Sequence, residues 1–104
     1  LLERAADIFA ELGIYRAGHL GWLYLKRGDL AAAEDFFRDT LAQDEDSSWF
    51  AITEFDCYLG LAEVARARGD EAAAREELER AIRAGEKAWP GGHPHLQEAR
   101  AQRD

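Results

Sequence analysis

The 104-residue chain contains no methionine, one cysteine and two prolines; asparagine is absent, and Lys26 and Lys87 are its lysines. Each shortage excludes something. The lone Cys57 has no second thiol for an internal disulfide, so a reducing, cytoplasmic setting is expected. No uncharged apolar run is long enough to cross a bilayer, and the first residues lack a signal-peptide pattern. Basic residues number 13 against 21 acidic ones, for a formal charge of −8. That balance argues against nucleic acid and against anionic membrane surfaces, which both select for Lys/Arg excess. Glycine-rich phosphate loops, zinc-ligand spacings and carboxylates paired in a pocket-forming context are missing, so no enzyme activity and no cofactor is expected. Strand signals are missing too. Arginine in place of lysine suggests a GC-rich bacterial genome, and a start at Leu1 without methionine reads as a piece of a longer protein.

What is present points to helices. Hydrophobic residues make up 47% and charged residues 33%, a composition that folds rather than one that stays disordered. The length allows at most one domain with a modest core. Two stretches, Leu20 to Ala33 and Leu61 to Ala74, repeat each other in register. Each is an apolar helical run, then Gly28-Asp29 or Gly69-Asp70, then an Ala-rich run. Such self-similarity indicates a stacked array, which offers a surface and no built-in chemistry.

Walking the chain, Leu1, Ala5, Ile8, Phe9 and Leu12 share one helical face, and Gly13 ends it. A second helix runs from about Tyr15 to Arg27. Gly28 stops it and Asp29 is placed to cap the third, which carries Leu30, Ala33, Phe36, Phe37, Thr40 and Leu41 and ends near Gln43. A polar break at Asp44-Glu45-Asp46-Ser47-Ser48 precedes a long helix from about Trp49 to Arg68. After Gly69-Asp70 a fifth helix reaches about Ala88. Trp89 to Pro94 is read as non-helical, and His95 to about Gln102 as a short polar helix. The expected buried set is Leu20, Tyr24, Ala33, Phe37, Leu41, Leu61, Ala62, Ala74, Leu78, Ala81 and Ile82.

These residues resemble the tetratricopeptide repeat family, whose pattern places a large residue, Leu, a small residue and an aromatic in one helix, then Ala and an aromatic in the next. Ala17, Leu20, Gly21, Tyr24, Ala33 and Phe37 supply one copy; Tyr58, Leu61, Ala62, Ala65, Ala74, Leu78 and Ala81 supply another. Ala17, Thr40 and Ala65 depart from the pattern, and the usual helix-ending proline is missing from both. The Gly-Asp turns lie 41 residues apart, against a family norm of about 34; the excess is roughly two helical turns. The lengthened copy and its Pro-Gly-Gly-His-Pro ending are similar to repeats of kinesin light chains and bacterial multidomain regulators. The resemblance implies an all-α fold, antiparallel helix-turn-helix repeats stacked as a short right-handed α-solenoid. Residues 1–13 would be the second helix of a leading partial repeat, 14–46 a repeat, 47–89 a lengthened repeat, and 90–104 a turn and capping helix.

In repeats of this type the first helix of each pair lines a concave groove. The resemblance therefore implies a partner-binding face of Tyr15, His19, Trp22 and Lys26, continued by Asp56, Glu63 and Arg66 of the long helix, beside Thr53 and Leu59/Gly60. Tyr15 and Trp22 would anchor a peptide or helical segment and the charges would read it. The competing reading packs Trp22 under a neighbouring repeat and leaves the charges solvated. Should Trp22 not serve, the aromatics Trp49, Phe50 and Phe55 are the next candidates. The carboxylate clamp of chaperone-binding members needs asparagine, which this chain lacks. Arg27-Gly28-Asp29 spells an adhesion tripeptide, but its recurrence as Arg68-Gly69-Asp70 is explained by helix capping. His93 and His95 have no further ligands at metal-site spacing, Cys57 suits a small packing position, and Asp44 to Asp46 read as a solvated loop. The expected function is a protein-interaction module within a larger bacterial regulatory protein. The alternatives are a homo-oligomerisation element, since fewer than three full repeats are present, and a sensor groove for a small ligand or signal peptide.

Overall fold

The computed structural model describes residues 19–42 and 48–103. They form five helices: α1 (His19–Lys26), α2 (Leu30–Leu41), α3 (Ser48–Ala67), α4 (Glu71–Ala88) and α5 (Pro94–Arg103), with no strand among the described residues. The expected leading helix, the turn at Gly13 and the acidic break around Asp44 to Ser47 lie outside the described residues.

The two Gly-Asp turns are built identically. Gly28 and Gly69 sit at φ 81° and 79°, left-handed backbone that a side chain would strain. Asp29 N–H donates to the Tyr24 carbonyl and Gly28 N–H to that of Leu25; Asp70 and Gly69 do the same with Ala65 and Arg66. These paired bonds close each preceding helix in a Schellman arrangement. The same aspartates then cap the following helices, their carboxylates accepting from Ala32 N–H at 3.2 Å and Ala73 N–H at 3.1 Å. One residue thus ends one helix and starts the next, which accounts for both Arg-Gly-Asp triplets.

Burial divides into two cores that share α3. The first gathers Ala33 and Phe37 of α2 with Cys57, Leu61 and Val64 of α3; the second gathers Phe55 and Ala62 of α3 with Leu78, Ala81 and Ile82 of α4 and Leu96 and Ala99 of α5. Because α3 feeds apolar groups to both sides, it lacks the single stripe that α2 and α4 show. Phe37, fully buried, is seated on glycine. A Cβ at Gly21 would stand 2.6 Å from its ring, and one at Gly60 would intrude further still.

Several expectations need correction. Gly60, read as a groove position, is buried under Phe37; helix α3 presents it to α2, not to a ligand. Phe50 and Phe55 are core, at 6% and 3% exposure, so they do not form a reserve binding surface. Leu20, Tyr24 and Leu41 are half-buried, whereas the other eight expected core residues are buried. The last helix begins at Pro94, not His95: His93 is its cap, its carbonyl accepting from Gln97 N–H and its Nδ1 from His95 N–H at 3.1 Å. Proline fits the first helical position because the N–H it lacks would be unpaired there. Leu96 and Ala99 turn α5's apolar side inward, while Arg100 pairs with Glu86 at 2.8 Å and Arg103 lies 3.7 Å from Glu79.

Candidate functional site

The expected groove face begins on α1. His19 opens the described part of this helix, and Trp22 and Lys26 follow four residues apart on one side; Tyr15 lies outside the described residues. Trp22 is half-buried and Lys26 exposed. The Trp22 ring meets Phe37 edge to face at 5.9 Å, and its Nε1–H donates to Asp56 Oδ1 on α3 at 3.2 Å. One edge of Trp22 is packed on the first core, and the side chain is only partly covered.

Asp56 is half-buried and placed by the same turn of α3 that carries Cys57 into the first core. Two turns on, Glu63 and Arg66 face outward and bond each other at 2.8 Å, each side chain about two-fifths exposed. The structure therefore brings Trp22 and Asp56 together, and joins Glu63 to Arg66 as a separate pair along the same helix. A third wall was not anticipated from sequence. A cleft of about 110 Å³ between α3 and α5 is lined by Phe55, Asp56, Leu59, His95, Glu98 and Gln102. Its signal was the His95, Glu98, Gln102 spacing of three and four, obscured by the reading of this segment as a cap alone.

Elsewhere, Glu34 of α2 accepts from Arg68 at the end of α3 and from Arg38, both at 3.0 Å. These bonds, Arg68's foremost, hold its carboxyl below the usual range. The bond from Arg68 to Glu34 and the bond from Trp22 to Asp56 each span 34 residues, tying the end of α3 to α2 and its middle to α1.

Other candidates resolve into structure. Cys57 is fully buried; burial first, and then the charges of Asp56 and Glu54, push its thiol up to about 12, the reverse of what a nucleophile needs. His93 stacks on Trp89 at 4.3 Å, and Trp89 meets Phe55 edge to face at 5.1 Å, so this histidine belongs to the turn that docks α5. Among the described residues no group of three or more His, Cys, Asp or Glu is placed to hold a metal ion, and no helix is long and apolar enough to cross a membrane.

A family model of the tetratricopeptide repeat matches residues 15–42, the span that holds α1, the Gly28-Asp29 turn and α2. No curated protein and no solved structure matches the chain. Residues 15–42 are thus similar to a tetratricopeptide repeat, a motif of protein-interaction modules, and the all-helical architecture of the described residues agrees with a fold of that kind. The likeness to kinesin light chains is not part of that match.

Proposed function

We propose that this chain is a tetratricopeptide-repeat module that holds a peptide or helical segment of a partner protein across the faces of α1 and α3. Trp22, Lys26, Asp56, Glu63 and Arg66 would make the contact, with His19 and Tyr15 extending it. The observation that carries the reading is the bond from Trp22 to Asp56. It ties two successive first helices into one continuous surface, with a rigid aromatic at the seam and charges of both signs beside it. Aromatic anchors of this kind concentrate binding energy because they cover area with few rotatable bonds. In this proposal residues 14–46 and 47–89 are the two repeats, 90–104 form a turn and cap, and the chain serves within a larger bacterial regulatory protein in the cytoplasm. Homodimer formation and capture of a small ligand are the alternatives.

Because Trp22 also packs on Phe37, its removal alone confounds binding with folding. A peptide selected by display against the whole chain supplies a probe, titrated into wild type, Lys26→Glu and Arg66→Glu. Charge reversal at these outward positions should weaken the peptide about tenfold or more and leave the melting temperature nearly unchanged. Equal affinity for all three would move the site off this face. A molar mass that rises with concentration in light scattering, together with loss of peptide binding, would favour the dimer.

A further inference from the structure

We propose that the groove between α2 and α4 is a second binding site, which takes an uncharged hydrogen-bond donor, a carboxamide or a hydroxyl, on a short apolar stem. Two clefts of about 370 Å³ and 340 Å³ open between these helices over α3, and Arg38 and Glu77 stand in the walls of both. Leu61, Val64 and Ala73 give the first cleft its apolar lining, and Leu41 and Ala42 do so for the second. Charge selects no ion here. The two linings together hold the carboxylates of Glu34, Asp70 and Glu77 and the guanidinium groups of Arg38, Arg68 and Arg80, an even balance. Each of these guanidinium groups already bonds Glu34 or Glu77.

What selects a ligand is Glu77. This residue is 8% exposed. Its Oε1 accepts from Arg80 Nη1, but its Oε2 is buried with no hydrogen-bond partner, the one such side-chain atom among the described residues. A buried acceptor without a donor costs stability, and folded chains keep few of them. Packing does not ask for a carboxylate at this place. The Gly-Asp turns set the two copies 41 residues apart, which aligns Glu77 with Phe36, an apolar residue packed on the first core. The second copy thus holds an unsatisfied acceptor where its sister holds a ring. A ligand N–H or O–H would complete it. Because Glu77 is already paired with Arg80, a cationic donor would bring an uncompensated charge over an apolar floor; a neutral donor brings none. The site does not rest on the α1–α3 reading, since Trp22, Lys26, Asp56, Glu63 and Arg66 line neither cleft.

The test is a titration of the full chain, followed by amide NMR, with propionamide, propanol, N,N-dimethylpropionamide, propylammonium and propionate. Saturable shifts at Arg38, Tyr58, Ala73 and Glu77 are expected with propionamide and propanol. The dimethyl amide, which has no N–H, and the two ions should bind about tenfold more weakly. Glu77→Leu should lose the shifts and melt at or above the wild-type temperature, because an apolar side chain leaves no buried acceptor. Glu77→Gln should lose them too, since its amide keeps the oxygen toward Arg80 and turns N–H groups to the ligand. A peptide with glutamine between two leucines that binds more tightly than propionamide identifies a partner side chain as the source; no gain identifies a small molecule. Equal binding of propionamide and its dimethyl form, tighter binding of either ion, or no saturable shift, with water alone on Oε2, would overturn the proposal. So would early melting of both variants, which would make the carboxylate a support of the fold. If Glu77→Leu alone melts early, the shifts in Glu77→Gln decide.

Discussion

The two cores are built from matching sequence and packed by opposite choices of size. In the first, the glycine of the apolar run, Gly21, meets a phenylalanine, Phe37; in the second, the same two register positions hold Ala62 and Leu78. A flat ring needs a floor with no side chain, and Gly21 and Gly60 provide it from two helices. A leucine is smaller, and an alanine beside it completes the same volume. Large-on-small and medium-on-medium are alternative solutions to one close helix approach, since interiors are packed to near-crystalline density. The second core has its own glycine seat at Gly85, where a Cβ would stand 2.7 Å from Leu96 and 2.9 Å from Phe55. It serves the last helix rather than the pair itself.

If this compensation is real, Phe37→Ala should be the most damaging change, costing about 3–5 kcal/mol by emptying the floor between Gly21 and Gly60. Leu78→Ala should cost less, about 2–4 kcal/mol. Urea unfolding of both variants checks the order, and an equal loss would mean that the ring is not the keystone of the first core. Next, Gly21→Ala should cost about 1–3 kcal/mol through overpacking. Adding Phe37→Leu to it recreates the second core's pair and should cost less than the sum of the single changes. Strict additivity would show that the two positions do not sense each other.

The polar ties give smaller effects. Trp22→Phe keeps the ring on Phe37 but deletes the donor to Asp56, and should cost about 1 kcal/mol with helical content unchanged. An unaltered melting curve would mean that the bond contributes nothing net. Glu34 has a folded-state value lowered by Arg68 and Arg38, so its contribution is complete above pH 4.5, the ordinary value. It is lost as pH falls through the lowered value. The stabilities of wild type and Glu34→Gln should therefore differ at neutral pH and converge below pH 4.5; a constant gap would remove Glu34 from the acid response. The smallest effect is at Cys57. With its thiol at about 12, only about one part in ten thousand is thiolate at pH 8. Iodoacetamide should label it at the rate of unfolding, whereas prompt labelling of the native chain would place it nearer the surface than the first core.

Much of the architecture is legible in the sequence, and the reason is local. A glycine that must be left-handed and an aspartate that caps three residues ahead act within one turn, so Gly28-Asp29 and Gly69-Asp70 marked two helix boundaries to within a residue or two. The inward faces of α2 and α4 were legible because each buries one stripe. The face of α3 was not, because it serves two cores. Pro94 was misread as a breaker because its fit depends on the His93 cap, which only the closed turn assembles.

By itself, then, the amino-acid order determined that the chain is helical, where the helices stop, that two pairs repeat, and that small residues lie where the pairs approach. Only the tertiary structure decided that Gly60 belongs under Phe37, that Trp22 bonds Asp56, that Arg68 reaches Glu34, and that Arg38 and Glu77 line the same two clefts. The division has one physical cause. Capping and periodicity are contacts between residues a turn apart, whereas these pairings join residues that the chain separates and only the stacking of helices brings within reach.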